Sequence, residues 1–173
     1  MALQDAQRAM AMVRYHADAW GVDADRIGVM GFSAGGYLAV LSSTAFDARA
    51  YAPIDEVDHV GIRPDFAIPV YPGHLTMEHK NKTPEAVAAR ELNTDIIVST
   101  KVPPTLLIHA KDDAVDPVHY SRVYARALRR AGVDVTLKLY DTGGHAFGVR
   151  KQRKDTDRWM DDALGWMRTH GIL

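Results

Sequence analysis

Four short apolar runs, near residues 26–30, 66–71, 105–109 and 134–140, are separated by stretches of helical character. Helices are expected at 34–45, 84–91, 118–131 and 155–169, with another, Leu3 to Trp20, ahead of the first strand. In that leading helix Ala6, Ala9, Met10, Val13 and Ala17 recur at spacings of three and four, and Gly21 stops it. A chain that must pass through a helix between successive strands comes back to the same end of the sheet. The alternation therefore dictates a mostly parallel sheet with helices on both faces, a three-layer α/β/α sandwich. With 47% hydrophobic residues, no repeat, no linker and no low-complexity tract, residues 1–173 read as a single domain with a real core.

The first strand runs straight into Gly31-Phe32-Ser33-Ala34-Gly35-Gly36, and a helix follows from Ala34. One serine thus stands on a sharp strand-to-helix turn, flanked by glycines. The turn crowds the backbone, and a Cβ at position 31 or 35 is expected to collide with the neighbouring strand and helix. The hydroxyl would be thrust out of the sheet, with the Ala34 N–H at the helix start aimed where an oxyanion would form. A bare G-x-S-x-G is as often a glycine-rich turn as a nucleophile site; the strand before and the helix after favour the nucleophile.

A serine hydroxyl needs a base, and the base needs a carboxylate to orient it. Of the eight histidines only His145 lies in a glycine-rich loop, Gly143 to Gly148, directly after a strand-like run. His109 ends an apolar strand and reads as structural, while His16, His59, His119 and His170 fall on polar helix faces or in loops. His74 and His79 lie five apart on a polar loop, a weak metal pattern without cysteine or clustered carboxylates, so no metal and no cofactor are expected. The carboxylate falls in the turn after the third strand, where Asp112, Asp113 and Asp116 compete. Asp116 before Pro117 has the look of an N-cap with proline at the first helical position, which leaves Asp112 and Asp113.

The stretch Asp5 to Ala9, Val13-Arg14, Trp20 to Asp23 and Asp25 to Gly36 resembles the α/β-hydrolase esterases of acetyl-xylan and feruloyl esterase type, relatives of the prolyl-oligopeptidase catalytic domain. The resemblance continues through Val70-Tyr71-Pro72, Pro103 to Pro117, Ala127 to Val133 and Gly143 to Gly148, nearly the whole chain. It implies a serine hydrolase in which Ser33, Asp113 and His145 are catalytic, in the chain order of that fold, with Ala34 in the oxyanion hole. In such proteins the acid lies four residues after the strand-end His and eight before a helix Ser; both counts, from His109 and to Ser121, give Asp113. Family members also carry a leading segment with first strands and a glycine loop that donates the second oxyanion hydrogen bond. No such loop is found in this chain, which is therefore expected to be an N-terminally truncated form of the fold.

The activity implied is hydrolysis of short-chain carboxylic esters, acetylated carbohydrate among them, with a prolyl-oligopeptidase-like peptidase or a weakly active remnant as alternatives. A net charge of −1 gives no electrostatic case for nucleic acid. No run approaches the ~18 apolar residues of a membrane helix, and Asp5, Arg8, Arg14 and Asp18 interrupt the first 20 residues, unlike a signal peptide. As it stands the chain reads as cytoplasmic. Four strands leave an open sheet edge and unpartnered helix faces, so self-association into a homo-oligomer is expected. The basic run Arg150 to Lys154 reads as a solvated turn. The segment Gly73 to Thr100, with Lys80, Asn81, Lys82 and Glu85, reads equally as a small substrate cover or an ordinary connection.

Overall fold

The computed structural model describes residues 2–77 and 90–173. The leading helical pattern forms two helices, α1 (Ala2–Tyr15) and α2 (Ala17–Trp20). They are broken at His16, whose backbone leaves the helical well at φ −95° and ψ 9°. Gly21 takes the left-handed conformation, φ 66°, that ends such a helix at little cost.

The first strand, β1 (Gly28–Phe32), starts and ends two residues later than the apolar run suggests. Asp23 accepts hydrogen bonds from the Asp25 N–H and the Arg26 side chain, which keeps that stretch in a turn. At the other end Gly31 and Phe32 pair with Pro69 and Val70 of β2 (Phe66–Val70). Next come α3 (Ala34–Thr44), which precedes β2 in the chain, then β3 (Thr105–Ala110), α4 (His119–Arg130), β4 (Val135–Tyr140) and α5 (Trp159–Thr169). The expected helix over 155–169 opens with a 3₁₀ turn, Asp155–Arg158, before α5 begins. Of the expected helix at 84–91 only Arg90 and Glu91 are described, and neither is helical; His79, Lys80, Asn81, Lys82 and Glu85 also lie outside the described residues.

Among the described residues, four strands form one sheet in the order β1-β2-β3-β4, parallel throughout. Successive side chains of β3 point to opposite faces, and all six are buried. Leu106, Ile108 and Ala110 meet Trp159, Ala163 and Trp166 of α5. Leu107 meets Val40 of α3 and Tyr124 and Leu128 of α4 on the other face. Each such large side chain contributes roughly 1.5–3 kcal/mol by leaving water.

On the outer side of α3, Ala11 of α1 packs with Val57 and Ile62. The Arg14 guanidinium fixes α1 against the sheet's amino end, donating to the carbonyls of Ala24, Gly61 and Arg63 and to Asp65. Asp65 in turn accepts the Ile27 N–H just ahead of β1. One arginine thus sets where two strands begin. Because the strands are parallel, the turns after β1, β3 and β4 all open at the same edge of the sheet, the usual place for sites in such folds.

Candidate active site

Ser33 follows β1 and precedes α3, at φ 54° and ψ −120°. A side chain rarely occupies that region, and holding one there costs roughly 1–3 kcal/mol. The surroundings enforce it. The Ser33 N–H donates to the Val70 carbonyl at 3.1 Å, and the Ser33 carbonyl accepts from Tyr37 at 3.0 Å and Gly73 at 3.3 Å. A Cβ on Gly31 would lie 2.0 Å from the Gly35 carbonyl oxygen, and one on Gly36 would lie 2.9 Å from the Pro72 Cα. The expected collision at Gly35 does not occur, since nothing stands within 4 Å of where its Cβ would be. The second crowded glycine is Gly36, buried against the Pro72 backbone. Ala34 is the first residue of α3, so its N–H belongs to the first-turn donors that have no acceptor within the helix.

His145 comes from the loop after β4, and its Nε2 lies 2.9 Å from Ser33 Oγ. On the far side of the ring, Nδ1 lies 2.8 Å from Asp113 Oδ2. Those partners fix the neutral tautomer: Nδ1 carries the proton that it donates to the carboxylate, and Nε2 accepts from the serine hydroxyl. Tyr71, which the sequence marked only as part of a resembling segment, backs the imidazole edge-on with centroids 5.1 Å apart.

The neighbouring aspartates divide the work. Asp113 Oδ1 accepts the N–H groups of Val115 and Asp116, each at 2.9 Å, while Oδ2 takes His145 and, at 3.4 Å, His109 Nε2. Burial pushes this carboxyl upward, but the hydrogen bonds from His109, His145 and the two amides outweigh it and hold it well below the usual carboxylate range. Asp112 does not reach His145. Its two oxygens accept the Gly143 and Gly144 N–H groups, tying the histidine loop to the turn after β3. His109, fully buried, faces Ser121 Oγ with Nδ1 at 2.7 Å and the Asp116 carbonyl with Nε2 at 2.8 Å. It thereby braces the whole acidic turn.

Asp116 departs from the expected role. Helix α4 begins at His119 and its N-cap is Val118, with no side-chain cap. The Asp116 carboxylate turns instead into the site, 3.4 Å from Ser33 Oγ and 3.7 Å from His145 Nε2. Among the described residues no three of His, Cys, Asp and Glu stand in an arrangement that could hold a metal ion.

Residues 2–171 match the prolyl oligopeptidase family. The chain belongs to that family. Among its relatives is an acetylxylan esterase of Xylanibacter ruminicola, 29% identical over 181 residues that cover 95% of this chain and 35% of that one. A solved acetyl ester-xyloside bifunctional hydrolase from Caldicellulosiruptor lactoaceticus is 32% identical and superposes with a TM-score of 0.83, covering 99% of this chain and 66% of its own. A thermophilic esterase of Thermogutta terrifontis, solved with propionate bound, is 26% identical with a TM-score of 0.78, over 99% of this chain and 65% of that one. This prolyl oligopeptidase family chain therefore spans about a third of the curated acetylxylan esterase and just under two thirds of the solved hydrolases. Its parallel sheet and flanking helices match the α/β-hydrolase fold of those neighbours.

Proposed function

We propose that this chain is a single α/β-hydrolase domain that cleaves short-chain carboxylic esters through an acyl-enzyme, with acetylated carbohydrate as the substrate class. The observation that carries the reading is the continuous line from Ser33 Oγ through His145 to Asp113, with hydrogen bonds of 2.9 and 2.8 Å on a strained turn beside a helix start. The acetylxylan esterase and acetyl ester-xyloside hydrolase among its relatives support the choice of substrate class.

In this reading His145 Nε2 takes the Ser33 proton as Oγ attacks the ester carbonyl, and the Ala34 N–H receives the developing oxyanion. Asp113 holds the imidazole in the required tautomer and stays ionised while the imidazolium forms. His145 then returns the proton to the leaving alcohol, and water repeats the sequence on the acyl-serine. Ser33→Ala should reduce hydrolysis of p-nitrophenyl acetate to the uncatalysed rate, with the variant still folded by circular dichroism. Activity retained by that variant would refute the nucleophile assignment. Cleavage of prolyl p-nitroanilides in preference to esters would move the activity to peptides, and no turnover of either would mark a remnant.

We also propose a homo-oligomer. β1 is an edge strand, and Met30 on it is 46% exposed. Beside it Met30, Phe32, Trp159, Met160, Leu164 and Met167 line an apolar groove of about 390 Å³. A second apolar groove runs between Ala9, Met10 and Val13 of α1 and the same strand. A second copy would bury both and pair the open edge.

A further inference from the structure

Asp116 is a carboxylate that the mechanism above does not use, held at the nucleophile with only 7% of the residue exposed. Its backbone is clamped on both sides: the N–H donates to Asp113 Oδ1 at 2.9 Å, and the carbonyl accepts from His109 Nε2 at 2.8 Å. Gly73 leaves the space its side chain fills, because a Cβ at that position would lie 2.7 and 2.8 Å from the two carboxylate oxygens. The group is thus fixed where it stands. No lysine or arginine among the described residues pairs with it; Lys111, five residues earlier in the chain, is engaged by Asp141, and Asp112 and Asp113 are satisfied by amides and histidines. While His145 is neutral, its Nε2 lone pair faces the serine, so the imidazole offers Asp116 no proton. Among the described residues its polar neighbours are Ser33 Oγ at 3.4 Å and His145 Nε2 at 3.7 Å.

We propose that Asp116 is a specificity-determining residue that sets the charge preference of the site, excluding esters that carry an anionic group near the scissile carbonyl and accepting uncharged ones. The proposal rests on the esterase reading of Ser33. A carbonyl carbon poised for attack stands about 3 Å from the nucleophilic oxygen, and Asp116 Oδ2 stands 3.4 Å from that same oxygen. Any carboxylate one to three bonds from the carbonyl is therefore brought within several ångströms of a fixed, unneutralised negative charge in a partly desolvated site. Like charges at such range repel strongly enough to change a rate constant by about tenfold or more. The spare lone pairs of Asp116 also suit a hydroxyl-bearing alcohol, which can donate to them where an anionic one cannot.

The test compares mono-p-nitrophenyl succinate with p-nitrophenyl 4-methylpentanoate, its neutral match in shape, each corrected for spontaneous hydrolysis. Wild-type protein should show a kcat/KM lower by about tenfold or more for the succinate monoester. In Asp116→Asn, which keeps the side-chain shape and leaves both backbone clamps in place, that gap should close by about tenfold whatever happens to the absolute rates. Asp116→Ser provides the same comparison should the asparagine variant not fold. A wild-type protein that hydrolyses both esters equally overturns the proposal without any variant, and a gap that persists unchanged in a folded charge-free variant overturns it too. If wild type hydrolyses no neutral ester at all, the esterase reading falls, and this proposal with it; hydrolysis of neutral esters without a gap removes the proposal alone.

Discussion

In the proposed mechanism Asp113 carries two jobs that separate by pH. Its hydrogen bonds hold the carboxyl well below the ordinary range, so the folded state binds its proton less readily than the unfolded chain. The resulting stability is fully present above the unfolded value of about 3.9. It fades as the pH falls through that range toward the lower folded value. Asp113→Asn should therefore melt below wild type at neutral pH, and the difference in Tm should narrow below about pH 4. Loss of the carboxylate should also lower kcat by roughly 10⁴, through the wrong imidazole tautomer. A Tm difference independent of pH would mean that the carboxylate's charge plays no part in stability.

Residue roles were unevenly legible. The proximity of Ser33 and His145 could be anticipated because glycine-rich turns announce themselves locally. Asp116 could not, because Asp-Pro is also a local helix-start signature and its actual neighbour, Ser33, lies 83 residues away. The bracing by His109 was half visible: a histidine among apolar strand residues reads as structural, but only the fold reveals that it grips the Asp116 carbonyl.

At the level of elements, the turn after β1 works because two backbones come close, and the glycines do unequal work there. Gly31→Ala would drive a methyl group into the Gly35 carbonyl at 2.0 Å, backbone against backbone, with no flexible side chain to yield. It should abolish folding or cost several kcal/mol, on the order of 3 or more. Gly35→Ala meets nothing and sits in the first turn of α3, so it should stabilise the protein by about 0.5–1 kcal/mol through helix propensity. Urea unfolding of the two variants distinguishes them; equal destabilisation would show that crowding at Gly31 is not what shapes the turn. The sequence motif names both glycines alike, since a pattern records residue identity and not the direction in which a missing Cβ would point. Strand positions were legible because buried parallel strands are apolar runs, but their ends are set by pairing partners and by side-chain turns such as that of Asp23.

For the whole molecule, the open edge of β1 with apolar grooves on either side predicts association. Light scattering at micromolar concentration should give a mass of at least two chains, and Met30→Lys should shift it toward one by placing a charge on the half-exposed edge. A well-behaved monomer for the unaltered chain would refute the homo-oligomer. The parallel sense followed from the alternation of strand and helix, while the strand order β1-β2-β3-β4 is visible only in the fold. What would cover the outer strand did not, because partner surfaces leave no periodic signature in the chain that meets them.

Among the described strands β4 stands last in both chain order and sheet order, paired on one side only, and it delivers the loop that holds His145. Ser33 and Asp113 belong to turns after strands laid down earlier in the chain, while their common partner hangs from this final edge. During heating, in the proposed mechanism, fraying of this peripheral strand would remove the base while the rest of the sheet stayed intact, so hydrolysis would fade and return on cooling well before the molecule melts. During synthesis, in the proposed mechanism, Ser33 would stay silent until β4 has docked.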